Sequence, residues 1–173
     1  MTEEQARIRS YLTAQGAKLS TAEIVDKVRA AMDQIRAAAD AIPDARFGTR
    51  PAAEEWSANE VMAHVVKAGR HFGGAIVQLL DGAPVGGLRD QLERDVPRRS
   101  ASEWWTALEE DRAALFARVW AADPQSAVEA MVEHPFFGPL NWRETLLFIR
   151  LHDLDHAGQL QKIAAAMAVG HSA

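Results

Sequence analysis

Residues 151–161 read LHDLDHAGQLQ, in a stretch that is otherwise strongly apolar. His152 and His156 stand four residues apart, one helical turn, and Gln159 follows three residues later. At about 100° per residue, Phe148, His152, Gln159 and Ile163 fall on one stripe of a helix, with His156 at its edge. Glu144 and Asp155 project into the same sector. Arg150, Asp153, Ala157 and Gln161 mark the opposite side, which the pattern predicts to face solvent. A single inward histidine is ordinarily a hydrogen-bonded core residue. Several polar groups on one buried stripe are different, because each costs a few kcal/mol unless it is satisfied. A divalent metal could satisfy both rings together, with Asp155 or a backbone carbonyl holding a second ring nitrogen.

A metal would need a third ligand. His64 and His71 lie on another long helical stretch, WSANEVMAHVVKAGRHFGGAIVQLLDG, where Glu60, His64, His71 and Gln78 share one stripe. Depth along the helix leans toward His64, but periodicity leaves both candidates open. His134 falls in a loop and His171 in a frayed C-terminal tail. Glu60 is three residues after Ser57, the spacing of a capping box, in which the two side chains satisfy each other's exposed amides. Glu60 and Asp155 are also the two carboxylates that could orient a ligand or accept a proton.

The elements that must carry these residues are helical. Apolar residues recur at three- and four-residue steps, and alternating β-type patterns are weak. Helices are expected over about 20–41, 57–80, 100–122 and 141–167, with a short one over about 3–14. Pro43, Asp81-Gly82 and Asp123-Pro124 stop the first three of the long ones. The connection 82–100 could hold a helical turn, and 123–140 is a second long, proline-marked connection. The expected fold is all-α: one domain over 1–173, an N-terminal arm at 1–18 and a four-helix bundle at 19–168 with long crossovers. Such bundles place metal sites in the core between facing helices. Trp104, Trp105, Phe116 and Trp120 read as core, Trp56 as a hydrophobic staple. Phe136 and Phe137 either roof a pocket or pack on the bundle end.

Composition narrows the function. The 173 residues contain no cysteine, which removes disulfides, thiolate ligands and a cysteine nucleophile. The net charge is −5 and no basic cluster exceeds PRRS at 97–100, so no nucleic-acid partner is expected. No apolar run approaches the about 20 residues of a membrane span, and the charged N-terminus has no signal-peptide core. A cytoplasmic location is expected.

Two segments resemble the DinB-like superfamily of four-helix bundle proteins. These are EEWSANEVMAHVV, with Trp56, Ser57, Glu60 and His64, and EHPFFGPLNWRETLLFIRLHDLDHAGQLQKI, with His152, His156 and Gln159. The approach His134, Pro135, Phe137, Gly138, Leu140, Asn141, Trp142 looks like that family too, and the likeness runs from about 20 to 167. What it implies is a divalent metal held by His64, His152 and His156, which decides for His64 over His71. It also implies a stress-associated protein, in some relatives a transferase or isomerase using a low-molecular-weight thiol. Position 155 departs from the pattern, being often basic or histidine in the family and Asp155 here.

Three neutral imidazoles would leave an ion its full charge and an open position, the layout of catalytic rather than structural zinc. Together with that site, the resemblance implies thiol transfer to an electrophile as the expected activity, with zinc as the metal and nickel as the alternative. A small thiol and an electrophile are then the partners, and the assembly is a homodimer. A non-catalytic metal-binding or structural bundle is the rival reading, and a metal-dependent hydrolase the third. The Arg89-to-Arg99 segment is a solvated connection or a charge partner for an anionic thiol.

Overall fold

The structure is a computed structural model and describes residues 1–89 and 95–169. Helix α1 spans Glu3–Lys18, α2 Thr21–Asp40, α3 Ala58–Leu80, α4 Ala101–Trp120 and α5 Trp142–Val169. A 3-10 turn at Asp44–Arg46 and two short strands, β1 Val132–His134 and β2 Gly138–Leu140, fill the connections. Among the described residues, no helix is long and apolar enough to cross a membrane.

Each α-helix opens on a four-residue code. Thr2 and Gln5, Ser20 and Glu23, Ser57 and Glu60, and Ser100 and Glu103 all form reciprocal capping boxes. Asn141 completes the series: its Oδ1 accepts from the Glu144 amide and its own amide donates to Glu144 Oε2, both at 3.0 Å. Each cap satisfies amides that the helix cannot, an effect of about 1 kcal/mol.

Long helices then pack by their apolar stripes into a bundle. Helix α5 lies between α2 and α3; α4 packs on α3 and, less extensively, on α2. Helices α4 and α5 thus occupy opposite corners. The core runs through all four, with Ile24, Val28 and Ile35 of α2, Val61 and Val65 of α3, Leu108 and Val119 of α4, and Leu146, Leu147 and Leu160 of α5.

Several expectations are corrected. Helix α1 reaches Lys18 rather than Ala14 and docks on α5, burying Leu12 and Gly16. Arg143, itself buried, holds that junction by donating to Gly16 O at 2.8 Å, to Leu19 O, and to Pro124 O at 3.3 Å. The 123–140 connection contains the β1–β2 hairpin, with Val132 opposite Leu140 and His134 opposite Gly138. Gly138 takes the positive φ of +71° that the tight turn requires. Asp153 and Ala157, expected at the surface, are 0% and 1% exposed, because α5 is flanked by α1, α2 and α3 and has no single wet face. Asp155, expected inward, is exposed. Trp104 and Phe116 are core, but Trp120 is 49% exposed, with Arg29 stacked 4.9 Å over its ring. The helical turn proposed for 82–100 falls partly on 90–94, and His171 on 170–173; both lie outside the described residues.

Candidate metal centre

Helix α3 delivers His64 and α5 delivers His152 and His156 to one point inside the bundle. One ring nitrogen from each lies within 4.8 Å of the others. His64 Nε2 and His152 Nε2 are 3.1 Å apart. Around a tetrahedral ion with bonds of about 2.0–2.1 Å, ligand nitrogens stand roughly 3.3 Å apart, so this edge is already at binding distance. His71 is placed elsewhere, its Nε2 accepting from the Arg89 amide at 3.4 Å.

The surroundings set the direction of the rings and the protonation of His156. His64 is 4% exposed and the His152 side chain 10%. Trp56 meets His64 edge-on at 5.3 Å, and Phe72 meets His152 edge-on at 5.5 Å. Burial, helped by the two neighbouring imidazoles, pushes His156 down to about 4, so it is neutral at pH 7 with a lone pair to offer. Its Nδ1 donates to Gln159 Oε1 at 2.9 Å, which leaves Nε2 bare. The donor set therefore fits a divalent ion of intermediate softness: three nitrogens, neutral where the environment fixes the charge, on rigid elements.

Neither carboxylate singled out in the sequence is poised as a base. Glu60 accepts from Arg50 Nε and Nη2 at 2.9 and 2.5 Å, and from Ser57 N and Oγ at 2.8 and 2.9 Å. The Arg50 guanidinium and the Ser57 amide hold its carboxyl at about 2. Asp155 sends its side chain outward and reaches His156 through charge alone, the weakest influence on that ring. Glu144, assigned to the same sector, is buried away in the α5 cap and pairs with Arg9 at 3.0 Å.

Two clefts meet the histidines. One, of about 350 Å³, is lined by His64, Lys67, Arg70, Val96, Arg99 and Trp104. Its charged side chains are all cationic in a protein of net charge −5. The other, of about 50 Å³, lies on the His152 side against Phe72, Arg89, His134, Phe136 and Phe148. Phe136 does reach the cleft, 52% exposed, whereas Phe137 is buried and stacked on His134 at 4.6 Å. His134, expected as a loop residue of the DinB-like approach to α5, is brought to this cleft by the hairpin, and Arg112 had no expected place. The signal for Arg112 was present: it sits on the apolar stripe Leu108, Leu115, Val119 of α4.

A helical bundle whose core polar groups converge as three imidazoles on one point defines a class of histidine-clustered four-helix bundles. The model of the DinB superfamily matches residues 27–160, and the chain belongs to that family. Comparison with curated proteins finds no match. Among solved structures the chain is similar to TT2238, a four-helix bundle protein, at 24% identity and a TM-score of 0.64, covering 83% of this chain and 99% of that one. It is also similar to YfiT from Bacillus subtilis, described as a probable metal-dependent hydrolase with an unusual four-helix bundle topology. That likeness has 13% identity and a TM-score of 0.68, over 87% of this chain and 91% of YfiT. At these identities the likeness carries the fold.

Proposed function

We propose that His64, His152 and His156 hold a divalent metal, zinc first and nickel as the alternative, in an enzyme that transfers a low-molecular-weight thiol to an electrophile. The observation that carries the reading is the convergence of three imidazole nitrogens within 4.8 Å beside an open, cation-lined cleft. An ion held by three neutral ligands keeps an open position and lowers the pKa of a thiol or water placed there. The chain supplies the rest. Gln159 keeps the proton of His156 on Nδ1, so that Nε2 faces the site. Trp56 and Phe72 pack against the rings and exclude water from their flanks. Lys67, Arg70 and Arg99 put positive charge along the cleft that His64 borders.

A metal-dependent hydrolase is the second reading, favoured by the likeness to YfiT. The geometry supports the thiol better. Water is a weaker acid than a thiol, so it leans more heavily on a proton acceptor. Glu60, held at about 2 by Arg50 and Ser57, is a poor one. The same reading keeps a homodimer in the cytoplasm, which size exclusion and cell fractionation test.

The test begins with metal content of untagged protein beside His64→Ala and His156→Ala. About one equivalent of zinc or nickel is expected in the parent, with near-complete loss in both variants. Thiol consumption with electrophiles across several small thiols follows, and is expected only in loaded protein. A parent that takes up neither ion would end the metal reading. Loaded protein that consumes no thiol would end the transferase.

A further inference from the structure

Asp153, which the sequence pattern placed in water, is instead buried in a pair with Arg112 that lies across the bundle. Asp153 has a side-chain exposure of 0% and Arg112 of 2%, with Arg112 Nη2 donating to both carboxylate oxygens at 3.1 and 3.0 Å. An ion pair so far from water is often no more stabilising than apolar residues of equal volume. Its surroundings show what else it does. The pair joins α4 to α5, the helices at opposite corners. Helix α3 makes room for it at Gly69, where a Cβ would stand 2.7 Å from Arg112 Nη1. Next to Asp153 in the chain is His152, whose Nδ1 is buried without a hydrogen-bond partner. Asp153 Oδ1 lies 3.6 Å from that nitrogen, just beyond hydrogen-bond length.

Resting on the metal reading above, we infer that the Arg112–Asp153 pair is a positioning device for His152. It fixes the imidazole in the tautomer that carries its proton on Nδ1 and leaves Nε2 bare toward His64 and His156. A neutral imidazole has one N–H, and the hydrogen bond made by one nitrogen decides which nitrogen is free to ligate. Arg112 grips both carboxylate oxygens and holds the carboxylate beside His152, with Oδ1 3.6 Å from Nδ1. Gln159 acts on His156 in the same sense, with an amide oxygen 2.9 Å from Nδ1. Both α5 histidines thus present Nε2, one steered by the adjacent carboxylate that Arg112 holds from across the core and one by an amide one turn along the same helix. In protein without metal, the bare Nε2 of His152 accepts from His64 Nε2 across the 3.1 Å contact.

The test is long-range proton–nitrogen correlation NMR of the metal-free protein labelled in histidine, with zinc affinity measured separately by chelator competition. Wild type is expected to show His152 protonated on Nδ1 and His64 on Nε2. In Asp153→Asn, Arg112 draws the amide oxygen and the amide NH2 faces Nδ1. The proton of His152 then moves to Nε2, and zinc binding weakens about 10–100-fold. Leu108→Ala, which loosens α4 one turn before Arg112, is expected to change neither tautomer nor affinity. His152 protonated on Nε2 in wild type would overturn the inference, and that spectrum decides alone should Asp153→Asn not fold. An unchanged tautomer and affinity in Asp153→Asn would also overturn it while leaving the metal centre standing. The predicted tautomers without zinc uptake would support the positioning and end the metal reading instead.

Discussion

Replacing Glu60 by glutamine separates the two roles that its position allows. The carboxylate is 4% exposed and held at about 2 instead of 4.5, first by Arg50 and then by the Ser57 amide and hydroxyl. A depression of that size is worth about 3 kcal/mol at neutral pH. Arg50 is 39% exposed, so solvent screening brings the realistic loss to about 2 kcal/mol. In a chain of this size that lowers Tm by about 4–8 °C. Glutamine keeps an oxygen for the Ser57 amide, so α3 still starts at the same residue. The sign follows from the direction of the shift. Ionised Glu60 stabilises the fold fully above its unfolded pKa near 4.5, and that contribution disappears as pH falls through about 2. Urea unfolding of parent and variant should therefore differ by a constant amount from pH 8 to about 5, and the gap should close between about 4.5 and 2. Glu23 and Glu103 are also depressed, chiefly by the amides of Ser20 and Ser100, but they are common to both proteins and cancel in the difference. A variant of unchanged stability that has lost thiol turnover would refute the reasoning and return Glu60 to the reaction.

Two further substitutions probe the frame around the site. Gly69→Ala puts a methyl 2.7 Å from a guanidinium that Asp153 holds in place, and should cost about 1–3 kcal/mol; Gly74→Ala on the same helix meets nothing within 4 Å and should gain about 0.5–1 kcal/mol. Equal effects in thermal unfolding would contradict the close approach at Gly69. Arg143→Met removes charged hydrogen bonds to Gly16, Leu19 and Pro124, and should expose 16–21 to limited proteolysis at a cost of about 3 kcal/mol while zinc uptake persists. An unchanged digestion pattern would show that α1 is held by its apolar contacts alone.

The legibility of this chain divides by range. Helix starts were readable because a capping box is complete within four residues, as at Ser57–Glu60 and Ser100–Glu103. The i, i+4 pair of His152 and His156 was readable for the same reason. Choosing His64 over His71 was not a matter of periodicity. Seven residues are close to two whole turns, so both point the same way, and only depth in the assembled bundle separates them. The orientation of α5 was misjudged at Asp153 and Asp155 because a helical projection presumes one wet face, and this helix has neighbours on several sides. The β1–β2 hairpin, with three residues to a strand, is too short to register as an alternating pattern.

The separation of His64 from His152 by 88 positions has one more consequence. An ion gripping both would act as a covalent staple does, closing a loop that contains all of α4 and the hairpin. For a loop of that length the chain-entropy relation gives about 4–5 kcal/mol of constraint on the unfolded ensemble. The segment carrying His152 and His156 offers only two ligands until α3 docks against it. Metal uptake would then report completed folding, and a chelator would act on this protein as a mild denaturant.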